Sequence, residues 1–148
     1  MKSELANQLK EKYPQIFRDL WGNPRETCLA FGIECGAGWY DIIDRLCEGI
    51  TKLDLGPQFK ATQVKEKFGE LRFYYSGVPE VKWGPMGELV AAAERESRET
   101  CEYCGSKEDV TCEGSWIKAL CKKCRDEEKA LIREAAALRK AVEQQKNG

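Results

Sequence analysis

Eight cysteines and no histidine bound the chemistry open to this 148-residue chain. Four of the cysteines form two C-x-x-C pairs, Cys101 with Cys104 and Cys121 with Cys124, separated by sixteen residues. Within each pair two thiolates can reach one ion, and the length between them suits a hairpin that brings the pairs together. The spacing predicts a tetrahedral Zn²⁺ site; disulfides and an iron centre are the competing readings. A closed set of four thiolates leaves no position for water, so the zinc is expected to be structural. Gly105 fits a tight knuckle after the first pair, and the second pair opens a helix whose N-terminus favours thiolates. Knuckle, hairpin and helix in that order read as a treble-clef-like finger. Lys107, Lys118, Lys122, Lys123 and Arg125 are expected to balance the surplus negative charge of the thiolates. Trp116 is expected beneath the knuckle, with stacking on a base as the alternative.

The absence of histidine removes the usual general base and excludes Ser-His-Asp and Cys-His mechanisms. Cys28, Cys35, Cys47 and Cys112 match no metal spacing and read as buried small hydrophobes. Cys35 has a competing reading as a reactive thiol, because it precedes Gly36-Ala37-Gly38 at an expected helix start. The N–H groups of Gly36 and Gly38 could likewise meet an anion there, although a simple turn explains the same glycines.

These residues need elements to hold them. Residues 3–20 carry Leu5, Leu9, Ile16, Phe17 and Leu20 at helical spacing, with Ser3 as a candidate cap and Pro14 as a break or kink. Trp39, Ile42, Ile43, Leu46, Ile50 and Leu53 trace one apolar stripe, closed by Gly56-Pro57. Residues 86–100 read as a helix that runs into the first cysteine pair, and the chain ends in a long helix. On that last helix Leu131, Ala135, Leu138 and Val142 offer a short seam, for the finger or for a second chain. The expected fold is α+β: helices on a small antiparallel sheet, then the finger and the C-terminal helix, divided as 1–100 and 101–148.

VKEKFGELRFYY, Val64 to Tyr75, reads as a hairpin. With Gly69-Glu70 as its turn, Val64, Glu66, Phe68, Leu71, Phe73 and Tyr75 share one face. Lys65, Lys67, Arg72 and Tyr74 share the other, with Lys67 opposite Arg72, an unfavourable pairing of like charges. Together with Trp39 and Tyr40 these residues would make a basic-aromatic patch for phosphate, nucleotide, nucleic acid or an acidic protein surface. A solvated strand face with Glu70 close by is the plainer reading.

Lys and Arg number 24 and Asp and Glu 25, a formal charge of −1 that argues against a general nucleic-acid binder. No apolar run is long enough for a membrane span and the start lacks a signal-peptide core, so the expected location is cytoplasmic.

Three blocks, GIECGAGWYDIIDRLC, VKEKFGELRFYY and the two C-x-x-C pairs, resemble a group of small proteins encoded by tailed phages and prophages. The resemblance covers roughly residues 31–125 and rests on Glu34, Cys35, Gly36, Gly38, Trp39, Asp44, Lys65, Lys67, Phe68, Gly69, Leu71, Arg72 and Phe73. It implies a phage or mobile-element origin, in the host cytoplasm, and carries over no catalytic residue. The function expected from it is a non-enzymatic zinc-binding accessory protein that occupies a host protein, for example a defence component. Nucleic-acid or nucleotide binding through the hairpin face and the finger is the alternative.

Overall fold

In the computed structural model, which describes all 148 residues, four helices pack with two separate antiparallel hairpins. The order is α1 (Ser3–Lys12), α2 (Tyr40–Leu53), β1 (Lys60–Lys67), β2 (Glu70–Ser76), α3 (Trp83–Arg98), β3 (Val110–Glu113), β4 (Lys118–Cys121) and α4 (Lys122–Lys146). No helix is long and apolar enough to cross a membrane. The architecture is the expected α+β arrangement, with the cysteine pairs flanking β3–β4 and the long helix last.

Pro14 follows the end of α1, where it cannot continue the helix. Ser3 is the first helical residue rather than a cap, and no side chain caps this helix. Tyr13 then ties α1 to α2 by donating from its hydroxyl to Asp44 Oδ1 at 2.7 Å. The α2 stripe buries Ile42, Ile43, Leu46 and Ile50, with Cys47 among them. Asp54, in the left-handed conformation (φ 51°), caps the helix two residues before Gly56. Helix α3 begins at Trp83 instead of residue 86, because Pro85 falls in its first turn, where a missing N–H costs nothing.

The main core joins α1, α2, β1, β2 and α3 around the fully buried Phe17, Leu29, Trp39, Ile43, Phe59 and Leu71. It also includes Ala119 from β4, while Cys101, Leu120, Cys121 and Cys124 form a small second cluster. Ser97 on α3 fastens the hairpin by accepting the Leu71 N–H at 2.9 Å.

The hairpin turn lies one residue earlier than expected, which moves every cross-strand pairing by two residues and leaves the faces of the strands unchanged. Its turn is Phe68-Gly69, with Lys67 opposite Glu70, Glu66 opposite Leu71 and Lys65 opposite Arg72. Phe68 (φ 54°) and Gly69 (φ 77°) are both left-handed, the backbone of a type I′ turn. Phe68 therefore leaves the apolar face and is 70% exposed. The repulsive pair shifts to Lys65 and Arg72, and Glu70 relieves it by holding Arg72 at 3.1 Å.

Candidate metal centre

The four Sγ atoms of Cys101, Cys104, Cys121 and Cys124 lie within 4.8 Å of one another. Backbone turns bring them there. Gly105 (φ 80°) closes the knuckle with its N–H on Cys101 O at 2.9 Å, and Cys101 N–H reaches Ser106 O at 2.7 Å. Cys121 caps α4, its sulfur accepting the Cys124 N–H at 3.5 Å. Both sulfurs of the second pair thus sit at the positive end of a 25-residue helix. At Cys101 burial opposes ionisation, but N–H groups of Cys104, Cys121 and Tyr103 more than offset it and lower the thiol, while desolvation and their cysteine neighbours push the Cys104 and Cys124 thiols up.

This donor set fits a tetrahedral metal ion. Metal–sulfur bonds of about 2.3 Å in a tetrahedron separate the sulfurs by about 3.8 Å, and Cys104 and Cys121 Sγ are 3.7 Å apart. Three of the ligands are buried and Cys104 is exposed. All four coordination positions come from protein, so the ion would serve structure.

Four of the five cations expected to balance the thiolates are engaged by other groups. Lys107 pairs with Glu96 at 2.8 Å, Lys118 with Glu128 at 2.8 Å and Lys122 with Asp126 at 2.7 Å. Arg125 is buried and clamps the β3–β4 hairpin, donating to the carbonyls of Thr111 at 2.6 Å, Lys118 at 3.0 Å and Glu113 at 3.2 Å. Trp116 lies outside the knuckle, 79% exposed in the turn that this clamp holds.

The knuckle is docked on the glycine-rich loop. Gly38 N–H reaches Glu102 O at 2.8 Å, Gly36 N–H reaches Glu102 Oε1 at 3.1 Å, and Trp39 Nε1–H reaches Thr100 O at 2.9 Å. A Cβ on Gly38 would stand 2.1 Å from Cys101 O, and one on Gly36 would stand 2.2 Å from Glu102 O. Close backbone approach therefore explains both glycines, and Glu102 takes both N–H groups, Gly36 through its side-chain oxygen and Gly38 through its carbonyl. Burial pushes the Glu102 carboxyl up against the pull of the Gly36 N–H, and its Oε2 has no hydrogen-bond partner.

Trp39 is fully buried and cannot belong to a binding patch. Tyr40 lines a cleft of about 310 Å³ with Arg45, Glu96, Cys104 and Lys107, without the hairpin cations. Tyr74 is exposed on the outer hairpin face with Lys67, and Lys65 is half-buried beside them. Arg72 is engaged by Glu70 and, at 3.7 Å, by Glu94. The expected patch is thus split between two places, with one of its cations neutralised.

No family model matches the chain, and no curated protein or solved structure matches it.

The remaining cysteines also separate. Cys35 is buried, and burial pushes its thiol up to about 12, the reverse of an activated nucleophile. Cys47 is buried as expected and its thiol is likewise pushed up, whereas Cys28 is exposed and Cys112 half-buried. Glu102, Thr100 and Ser97 carry joins that spacing alone did not single out. The only local sign was a small or acidic residue next to a metal ligand or on a helix, which is common everywhere.

Proposed function

We propose that this chain is a non-enzymatic, zinc-stapled binding protein of phage or prophage origin that occupies a host protein through its two hairpin turns. Zinc is the ion because four thiolates in a tetrahedron suit it best among the divalent metals. The observation that carries the reading is Phe68. A type I′ turn favours Asn, Asp or Gly at that position, and an aromatic residue with positive φ is strained there. Its exposed ring contributes little to the core, so folding does not account for the residue. Strain kept at an exposed aromatic is a mark of a contact made elsewhere.

The neighbourhood supports this. A Cβ on Gly69 would lie 3.2 Å from Ile117 Cγ2 and 3.4 Å from Cys112 Sγ, so the β1–β2 turn rests on the β3–β4 hairpin. Ile117 is partly exposed at this contact, Phe68 is exposed next to Gly69 in the turn, and Lys67 stands 5.7 Å from the Phe68 ring centroid; Trp116, the residue before Ile117, is exposed as well. Exposed aromatics with a basic border are what protein hot spots use. A host defence component as the target rests on the resemblance to phage proteins. Nucleic acid ranks second, because Arg72 is neutralised and the chain has no basic excess.

The test compares wild type with Phe68→Asn and Trp116→Ala as bait in nuclease-treated host lysate. Phe68→Asn is expected to raise stability by about 0.5–1 kcal/mol in urea titration, because Asn tolerates the left-handed region. Both variants are expected to lose a host protein that the wild type retains. Retention of no specific protein, or equal retention by both variants, removes this reading. Salt-dependent DNA or RNA retention in its place supports the second.

A further inference from the structure

A cleft of about 540 Å³, larger than the one beside Tyr40, opens between the end of α2 and the segment that follows α1. Its floor is apolar, made by Ile16, Ile50, Leu55 and Phe59. Its two walls are fixed to each other. Gln15 donates to Gly56 O at 2.6 Å, and Arg18 donates to Pro57 O at 2.9 Å and to Gln58 O at 3.3 Å. The Ala61 N–H reaches Ile16 O at 2.9 Å. Pro14 and Pro57, one on each wall, stiffen the backbone further. A ligand would meet a preformed site and lose little free energy in ordering it.

The rim carries one unbalanced charge. Asp54 lines the cleft at the C-terminus of α2, where the helix already holds about half a negative charge. An acid at that end is the reverse of what helix stability favours. The cations near it are engaged elsewhere: Lys12, also on the rim, is held by Asp44 at 2.7 Å, and Lys52 faces Glu48 at 3.6 Å. Thr51 donates its hydroxyl proton to Cys47 O at 2.8 Å, so towards the cleft it can only accept. Negative charge and acceptors therefore gather at one end of an apolar floor.

We propose that this cleft binds a small organic ammonium, a primary amine carried on an apolar body. Asp54 and the end of α2 both repel an anion. A bare calcium ion asks for about six to eight oxygen ligands, whereas this rim offers one carboxylate and the floor offers no oxygen. A primary ammonium supplies N–H donors for the Asp54 carboxylate, the Thr51 oxygen and a carbonyl at the helix end. Its apolar body removes the floor from water. The volume lies in the range of small-molecule sites. No residue of the cysteine cluster or of either hairpin turn lines the cleft, so the site is independent of both.

Amide chemical shifts of the zinc-loaded full chain test it, with phenethylammonium chloride as the probe at neutral pH. Phenethyl alcohol and hydrocinnamate, its neutral and anionic counterparts, are titrated at the same ionic strength. The amine is expected to shift the amides of Ile16, Leu55 and Gly56 saturably at millimolar concentration or below. The alcohol is expected to bind about tenfold more weakly, for want of a charge-assisted hydrogen bond, and the anion not to saturate. Asp54→Asn is expected to weaken the amine about tenfold or more and to leave the alcohol unchanged. Asparagine tolerates the left-handed backbone and carries no charge at the helix end, so this variant keeps or raises the melting temperature. No saturable shift at those amides overturns the proposal. Equal binding of amine and alcohol also overturns it, as does an amine affinity that survives Asp54→Asn.

Discussion

Removing the metal from the folded chain, with its thiols kept reduced, is expected to lower the melting temperature by about 15 °C or more. Four-cysteine zinc sites contribute about 10–16 kcal/mol of apparent binding energy in isolated fingers, comparable with a whole domain's stability of about 5–15 kcal/mol. Without the ion, the finger has Leu120 and three thiols for a core. The loss should spread, because the knuckle presents Thr100 O and Glu102 to Trp39, Gly36 and Gly38. Hydrogen exchange would show the amides of β3, β4, Gly36 and Gly38 losing protection while the centre of α2 keeps it. Cys101→Ser should reproduce the effect, and Cys112→Ser, outside the cluster, should not. Acid acts in the same direction. The ligands bind as thiolates, so affinity falls as the pH drops and protons compete with the ion. Equal melting of metal-free and metal-loaded protein would remove this role.

Gly38→Ala is expected to destabilise the chain by about 3 kcal/mol or more in urea unfolding, at the upper end of what overpacking costs. The new Cβ would stand 2.1 Å from Cys101 O and 2.6 Å from both Glu102 O and Gly105 N. All three are backbone atoms of the knuckle, and they cannot move without disturbing a metal ligand. Gly87 in α3 is the control, since a Cβ there meets nothing within 4 Å. Its change to alanine should be neutral or stabilising by up to about 1 kcal/mol. The pair of variants separates the cost of the join from the general effect of losing a glycine. A Gly38→Ala protein as stable as the wild type would mean that loop and knuckle are not held together in solution.

The four-cysteine cluster, α2 and the existence of the hairpin were legible in the sequence because each is a local pattern. Cysteine spacing, a three-to-four apolar step and alternation all act within a few residues. Two kinds of feature were hidden. The turn position is hidden because Phe68 contradicts the turn chemistry that would mark it, so Gly69 reads as opening the turn instead of closing it. The purpose of Gly36 and Gly38 was missed because their partners, Cys101 and Glu102, lie more than sixty residues away. From sequence alone, a glycine needed for close packing looks like one needed for an anion. The exposure of Trp116 is hidden for a related reason: burial of an aromatic residue depends on which side of a hairpin faces the core.

The join between loop and knuckle also bears on the order in which the chain assembles. Gly36 and Glu102 are 66 positions apart, whereas Cys104 and Cys121 are 17 apart. Closing the shorter loop costs about 1 kcal/mol less chain entropy, and an ion held by the four cysteines would compensate it as soon as the loop forms. The finger is therefore expected to form as a local folding unit before it docks through the more distant contacts. Pulse-labelled refolding with zinc present should protect the amides of β3 and β4 before those of Gly36 and Gly38. Simultaneous protection would mean a single cooperative step. With the finger first, zinc supply during synthesis would set when the last part of the chain becomes able to complete the first.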